Sequence, residues 1–156
     1  MRTELRIVPD IAPARPRVSS GAAFFDDDGR VLLVDPVYKD FWNLPGGGVD
    51  AGETPLAACV REVREELGLT PAIGALLVVA WTPDGPDGKL FFVFDGGILP
   101  AADRAAIVLS PGELGSHAFV TAEQAHTMLP PTHRALLAEV LRARADGATR
   151  YVEVTS

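Results

Sequence analysis

The hydrophobic and polar positions fall into short blocks that predict a series of strands and, in two places, a sustained helical period. Val18 to Phe25 reads as a strand, Asp26-Asp27-Asp28-Gly29 as a turn and Arg30 to Val34 as a second strand, which together predict a hairpin. A loop follows over 35–40, then a short strand at 41–44 ended by Pro45 and three glycines. Thr54 to Leu67 is the clearest helix, with Thr54 placed as N-cap, Pro55 at the first helical position and Gly68 just past the end. Ile73 to Trp81 and Lys89 to Phe94 predict two more strands, joined by the Gly/Pro/Asp-rich link 83–88. Residues 95–115 give no clear period and read as loop. Ser116 to Val120 predicts a strand and Thr121 to Met128 a short helix, with Thr121 and Gln124 spaced as a capping box. A longer helix over Thr132 to Ala145 gathers Leu136, Leu137, Val140 and Leu141 on one face, and Tyr151 to Val154 reads as a last edge strand. Pro9, Pro13 and Pro16 predict an extended arm or edge segment over residues 1–16. Strands mixed with a few helices point to the α/β class, a sheet covered by helices on both faces.

Length and composition narrow this picture. A chain of 156 residues suits one domain, 1–156, with one core. The content of 47% apolar and 22% charged residues reads as globular and not disordered. The run from Ile73 to Trp81 is too short to span a bilayer, and MRTELRIVPD has no apolar core of a signal peptide. Cys59 is the only cysteine, so no intrachain disulfide can form, and a reducing cytoplasm is the simplest home. A net charge of −7 repels polyanions, which argues against long DNA or RNA as partner but allows a small phosphorylated substrate neutralised locally by a cation. Monomer and homodimer both stay open.

The chemistry concentrates in one helix and the loop before it. Leu56, Val60, Val63 and Leu67 are spaced as one apolar stripe, while Glu62, Glu65 and Glu66 at i, i+3 and i+4 gather on a neighbouring face. Like charges at these spacings oppose the helix by a few tenths of a kcal/mol per pair. Arg61 reaches Glu65, but no base within the helix neutralises Glu62 and Glu66 together. Two readings stay open: a solvated acidic face, or carboxylates that hold Mg²⁺ or Mn²⁺. The preceding loop, Leu44-Pro45-Gly46-Gly47-Gly48-Val49-Asp50-Ala51-Gly52-Glu53, is either a flexible turn or a backbone that aims carbonyls at a metal and amides at phosphate.

From Gly47 through Glu53 to Arg61-Glu62-Val63-Arg64-Glu65-Glu66-Leu67-Gly68-Leu69, the spacing resembles the complete signature of the Nudix hydrolases, and the lead-in Trp42-Asn43-Leu44-Pro45-Gly46-Gly47 extends the likeness. The resemblance implies a Nudix-type α/β/α sandwich, a mixed β-sheet flanked by helices. It implies metal ligation by Glu62, Glu65, Glu66 and the Gly46 carbonyl, and a brace between Glu53 and Arg61 that ties loop to helix. It further implies Mg²⁺- or Mn²⁺-dependent cleavage of a nucleoside diphosphate linked to X. A (d)NTP is the first substrate expected, and a nucleotide sugar or dinucleotide the second. The proton acceptor is either Glu62 or Glu113, which is also placed to be a surface residue of a Pro-Gly turn. A non-catalytic nucleotide-binding module is the competing class; an isoprenoid diphosphate isomerase lacks support, since no cysteine lies outside the motif.

Other residues divide between substrate contact and ordinary structure. Trp42 suits base stacking or packing, with packing favoured. Lys39 and Tyr38 sit in the loop before the motif, where substrate contacts are plausible. His133 follows Pro130-Pro131-Thr132, where the resemblance suggests a base contact; an exposed histidine at a helix start is the plainer expectation. Cys59 is expected to pack, because nearby acids disfavour a thiolate, and His117 and His126 lack zinc-ligand spacing.

Overall fold

The computed structural model describes residues 11–155. Residues 1–10 of the expected arm lie outside the described part, and 11–16 enter neither helix nor strand. The elements are β1 (Arg17–Phe25), β2 (Val31–Pro36), β3 (Gly46–Gly48), α1 (Pro55–Leu67), β4 (Leu76–Thr82), β5 (Lys89–Ile98), α2 (Ala101–Ala105), β6 (Leu114–Val120), α3 (Ala122–Met128), α4 (Pro131–Asp146) and β7 (Arg150–Glu153).

The sheet runs β6-β2-β1-β5-β4-β7, with β3 paired to β1. It is mixed: β1 with β5 and β4 with β7 are parallel, and the remaining pairs antiparallel. Side chains alternate across a strand, and β1 and β2 use both sides. Ala23, Phe25, Val31 and Leu33 face a core completed by Leu136, Leu137 and Val140 of α4 and Ala125 of α3. Ala22, Phe24, Leu32 and Val34 face the opposite core, closed by Cys59, Val63 and Leu67 of α1. The result is the α/β/α sandwich with a mixed sheet.

Three expectations change. The strand expected at 41–44 lies at Gly46–Gly48 instead, and only Asn43 forms an isolated bridge, to Val34. The segment 95–115 is not one loop. β5 continues to Ile98, α2 follows, and β6 begins at Leu114. A bulge lies within β5, since Ala23 pairs with Asp95 and Phe24 with Gly97, and a Cβ on the intervening Gly96 would stand 2.3 Å from the Phe24 ring. Finally, Leu56 and Val60 are exposed on α1, whereas Ala58, Cys59, Val63, Glu66 and Leu67 are buried. The helix is rotated so that a carboxylate, Glu66, faces inward in place of part of the expected apolar stripe.

α1 begins and ends as its caps predict. The Thr54 hydroxyl accepts from the Ala57 N–H at 3.1 Å, and Gly68 at φ 69° donates to the Arg64 carbonyl. β1 and β2 pair only where Phe25 meets Val31, so they diverge toward the other end. The segment 43–48 fills that gap, with Asn43 bonded to Val34 and Gly46–Gly48 bonded to residues 19–21 of β1.

Candidate active site

A cleft of about 630 Å³ is lined by β1, the glycine segment, the loop at Tyr38 and Lys39, Glu66, Lys89, Phe91 and His133. One helical turn of α1 carries Glu62, Glu65 and Glu66; Glu66 lines the cleft, and Glu62 lies against Gly47 of its wall. Glu66 is buried, and its carboxylate accepts the Gly46 N–H at 3.2 Å. Burial pushes its pKa up to about 8; the Gly46 N–H opposes this, Glu62 and Glu113 add to it, and Lys39 opposes it. Glu62 is raised by burial, against the pull of Arg61 and with the push of Glu65 and Glu113.

Arg61 is the hub of the loop. Its guanidinium donates to both oxygens of Glu53 at 2.8 and 2.9 Å, to the Gly48 carbonyl at 2.9 Å, to Glu62 at 3.0 Å and to Glu65 at 3.2 Å. Glu53 also accepts the Asp50 N–H, and the Arg61 bond first and that amide second pull its carboxyl down to about 2. One side chain thus ties the glycine segment, the loop and the helix together. Arg61→Ala is expected to lower the melting temperature and the activity together, because charge-assisted bonds of about 1.5–3 kcal/mol each are lost. Full activity with an unchanged melting point would rule out the brace; paired thermal melts and turnover assays decide it.

The donor set suits a hard divalent cation. Glu66 carries a buried carboxylate whose charged form is penalised where it stands. The Glu62 carboxylate occupies a niche that any side chain at position 47 would fill, since a Cβ there would stand 2.5 Å from it. Among the described residues no group of three or more His, Cys, Asp or Glu side chains is already gathered around one point, and Arg61 bridges Glu62 to Glu65. Carboxylate and carbonyl oxygens on one turn and one loop nevertheless have the chemistry Mg²⁺ or Mn²⁺ requires.

The remaining candidates separate clearly. Glu113 is exposed, its carbonyl accepts from Val37 N–H at 2.9 Å, and its charge is felt by Glu62, Glu66 and Tyr38. The intervening segment is held to the end of α1, with Val108 and Ser110 N–H bonded to the Leu67 and Glu66 carbonyls. Tyr38 and Lys39 line the cleft, with the Lys39 ammonium 5.6 Å from the centroids of Tyr38 and Phe41. Trp42 packs against the α4-side core and does not line the cleft. His133 corrects the expectation of an exposed helix start: it is half-buried, 5.2 Å from the Phe41 ring and lines the cleft. Burial, with Lys39 and Lys89, lowers its pKa. Cys59 is fully buried, and burial pushes its thiol up to about 12. Lys89 and Phe91 went unread as site residues, although their i, i+2 spacing on a predicted strand placed them on one face.

The sequence model of the NUDIX domain matches residues 15–142, and the chain belongs to that family. It is 52% identical to the RNA pyrophosphohydrolase of Halorhodospira halophila (strain DSM 244 / SL1) over 63 residues, 40% of this chain and 34% of that protein. It is 40% identical to the ADP-ribose pyrophosphatase of Methanocaldococcus jannaschii over 89 residues, 51% of this chain and 53% of that protein. The chain therefore spans about a third to a half of the length of these curated relatives. The fold resembles the MutT protein from Methanosarcina mazei Go1, with a TM-score of 0.70 at 25% identity over 87% of this chain and 99% of that one. A NUDIX hydrolase from Nitrosomonas europaea shares the fold at a TM-score of 0.70 and 20% identity, over 94% of this chain and 82% of that one.

Proposed function

We propose that this protein hydrolyses a diphosphate linkage in a nucleoside diphosphate linked to X, with Mg²⁺ or Mn²⁺, and that a (d)NTP is its substrate. The observation that carries this reading is the acidic turn of α1 set against a glycine strand at the edge of a 630 Å³ cleft. Glu62, Glu65, Glu66 and the Gly46 carbonyl would hold the cation. When bound, such a cation neutralises the phosphoanhydride and lowers the pKa of water. The chain's own part is to fix those oxygens through the Arg61 brace and to accept the water's proton at Glu113 or Glu62. The M. jannaschii relative, named an ADP-ribose pyrophosphatase, favours a nucleotide sugar as second substrate class. A net charge of −7 argues for a small nucleotide over a long polyanion, and the single cysteine fits a reducing cytoplasm.

The test is a panel of dNTPs, nucleotide sugars and dinucleotides with Mg²⁺ or Mn²⁺, phosphate products being assayed. Turnover of a dNTP ahead of the others is expected, together with a metal-dependent rise in melting temperature by mass action. No turnover of any member, with calorimetry showing no cation binding beside a phosphorylated ligand, would leave a non-catalytic binding module.

A further inference from the structure

Strand β7 ends the sheet, and among the described residues no strand pairs with its outer side. Its ladder with β4 runs from Arg150 to Glu153 without a shift, whereas the ladder of β6 at the opposite edge shifts between Asp35 and Pro36. An irregular edge resists further pairing and a regular one invites it. The Val154 N–H donates to the Trp81 carbonyl at 2.8 Å, so alternate residues of β7 bond inward to β4 and the N–H and C=O groups of Tyr151 and Glu153 point outward. On the α4 side of the strand, Val152 packs on the core, and Arg150 is paired with Asp146 at 2.6 Å and Glu139 at 3.4 Å, so its charge is met within the chain. Tyr151 and Glu153 share the other side, both exposed, Tyr151 by 64%.

We infer that β7 pairs antiparallel with β7 of a second copy of this chain, about a two-fold axis at Val152, so that one sheet runs across two molecules. A closed two-fold contact between like surfaces is the common form of a homodimer. In this register Tyr151 stands opposite Glu153 of the second copy at both ends, and Val152 opposite Val152 as the closer, non-bonded pair. Each Tyr151 hydroxyl faces a carboxylate that can accept from it, and each Tyr151–Glu153 pair exchanges two backbone hydrogen bonds. A register centred on Glu153 would set two carboxylates face to face, and one centred on Tyr151 would leave Glu153 opposite Thr149, outside the strand. Beside β7 a groove of about 520 Å³ is lined on its helix side by Ala135 and Ala138, small residues that leave room for the second copy's α4 on the same face of the sheet. A contact of one short strand with its copy is a small interface, so the dimer is a reversible one.

Sedimentation velocity on the whole protein from about 1 µM to about 1 mM, the range suited to a small interface, tests this. The wild-type protein is expected to pass from one chain to two across that range, while the Tyr151 and Glu153 amides exchange more slowly as concentration rises. Tyr151→Glu sets like charges opposite each other and is expected to raise the dimer Kd by about tenfold, because the axis doubles each cross-strand pair. Adding Glu153→Lys makes those same pairs opposite in charge and is expected to bring Kd back to within about threefold of wild type. Glu153→Pro removes an outward N–H but no bond to β4, and is expected to leave a folded monomer. Thermal melts confirm that the variants fold, and the rescue separates lost pairing from lost folding. A wild-type protein that stays a single chain throughout overturns the inference; amides of Tyr151 and Glu153 that are slow at every concentration would then show a segment of the same chain on this edge. A dimer that Tyr151→Glu and Glu153→Pro leave intact forms through another surface and overturns it too, as does a double variant no tighter than Tyr151→Glu alone.

Discussion

In EDTA, Glu66→Gln is expected to be more stable than the wild-type protein at pH 8, and to lose that advantage as the pH falls toward 4.5. The Glu66 carboxyl is raised from 4.5 to about 8 in the folded chain, chiefly by burial. Between those values the folded state holds a proton that the unfolded state releases, so stability falls as pH rises. The contribution is fully present below about 4.5 and lost as pH climbs through about 8. The difference is on the order of a few kcal/mol, since each unit of pKa separation is worth about 1.4 kcal/mol. Glutamine keeps an oxygen for the Gly46 N–H but has no charge to bury. Excess Mg²⁺ should reverse the order, because only the wild-type protein gains by binding it at full strength. Urea melts at both pH values, with EDTA and with Mg²⁺, provide the measurement. Parallel pH curves for the two proteins would show that Glu66 is not strained in the folded chain.

Glu113→Gln is expected to lower kcat by roughly 10²–10⁴-fold, the usual worth of a general base, while leaving cation affinity nearly unchanged. Glu113 stands exposed where its charge reaches Glu62 and Glu66, and the chain holds it there through Val37 and Ser110. Glu62→Gln should instead weaken cation binding and turnover together, since its carboxylate sits among the ligands with Arg61 bonded to it. Wild-type turnover by Glu113→Gln across the pH range would make Glu113 an ordinary surface residue and leave Glu62 as the base. Pre-steady-state rates and calorimetric titrations on the two variants separate these cases.

The sandwich was legible because its signals are local. The apolar run from Val18 to Phe25 marked a strand, and Thr54 and Gly68 marked the ends of α1. The acidic turn was legible from spacing, and so was the Glu53–Arg61 pairing, through the motif it belongs to. What the sequence hid depends on contacts far along the chain. The stretch after Phe94 shows no period, yet the strand continues to Ile98, and the Phe24 ring needs Gly96 for room within it. Glu66 looks like one more exposed acid, yet α1 turns it inward, where it meets the Gly46 amide. His133 lies beside Phe41 because α4 returns across the sheet to the site loop, a tertiary consequence no local period encodes.

The glycine run that reads as a loose turn is a strand of the sheet, bonded through Gly46–Gly48 to β1 and through the Pro45 carbonyl to the Ala22 N–H. A Cβ at Gly21 would stand 2.4 Å from that carbonyl, so the two backbones meet with no side chain between them. Freeing this segment would strip hydrogen bonds from the strand on which both cores rest. Its opening free energy therefore approaches that of global unfolding, and it belongs to the last cooperative unit to exchange its amides. Residues 38–40 and 83–87 are exposed and lie outside that ladder, so their backbone opens more easily than the glycine strand. The architecture thus sets the glycine strand in a slowly exchanging centre and leaves faster opening to the exposed loops around it.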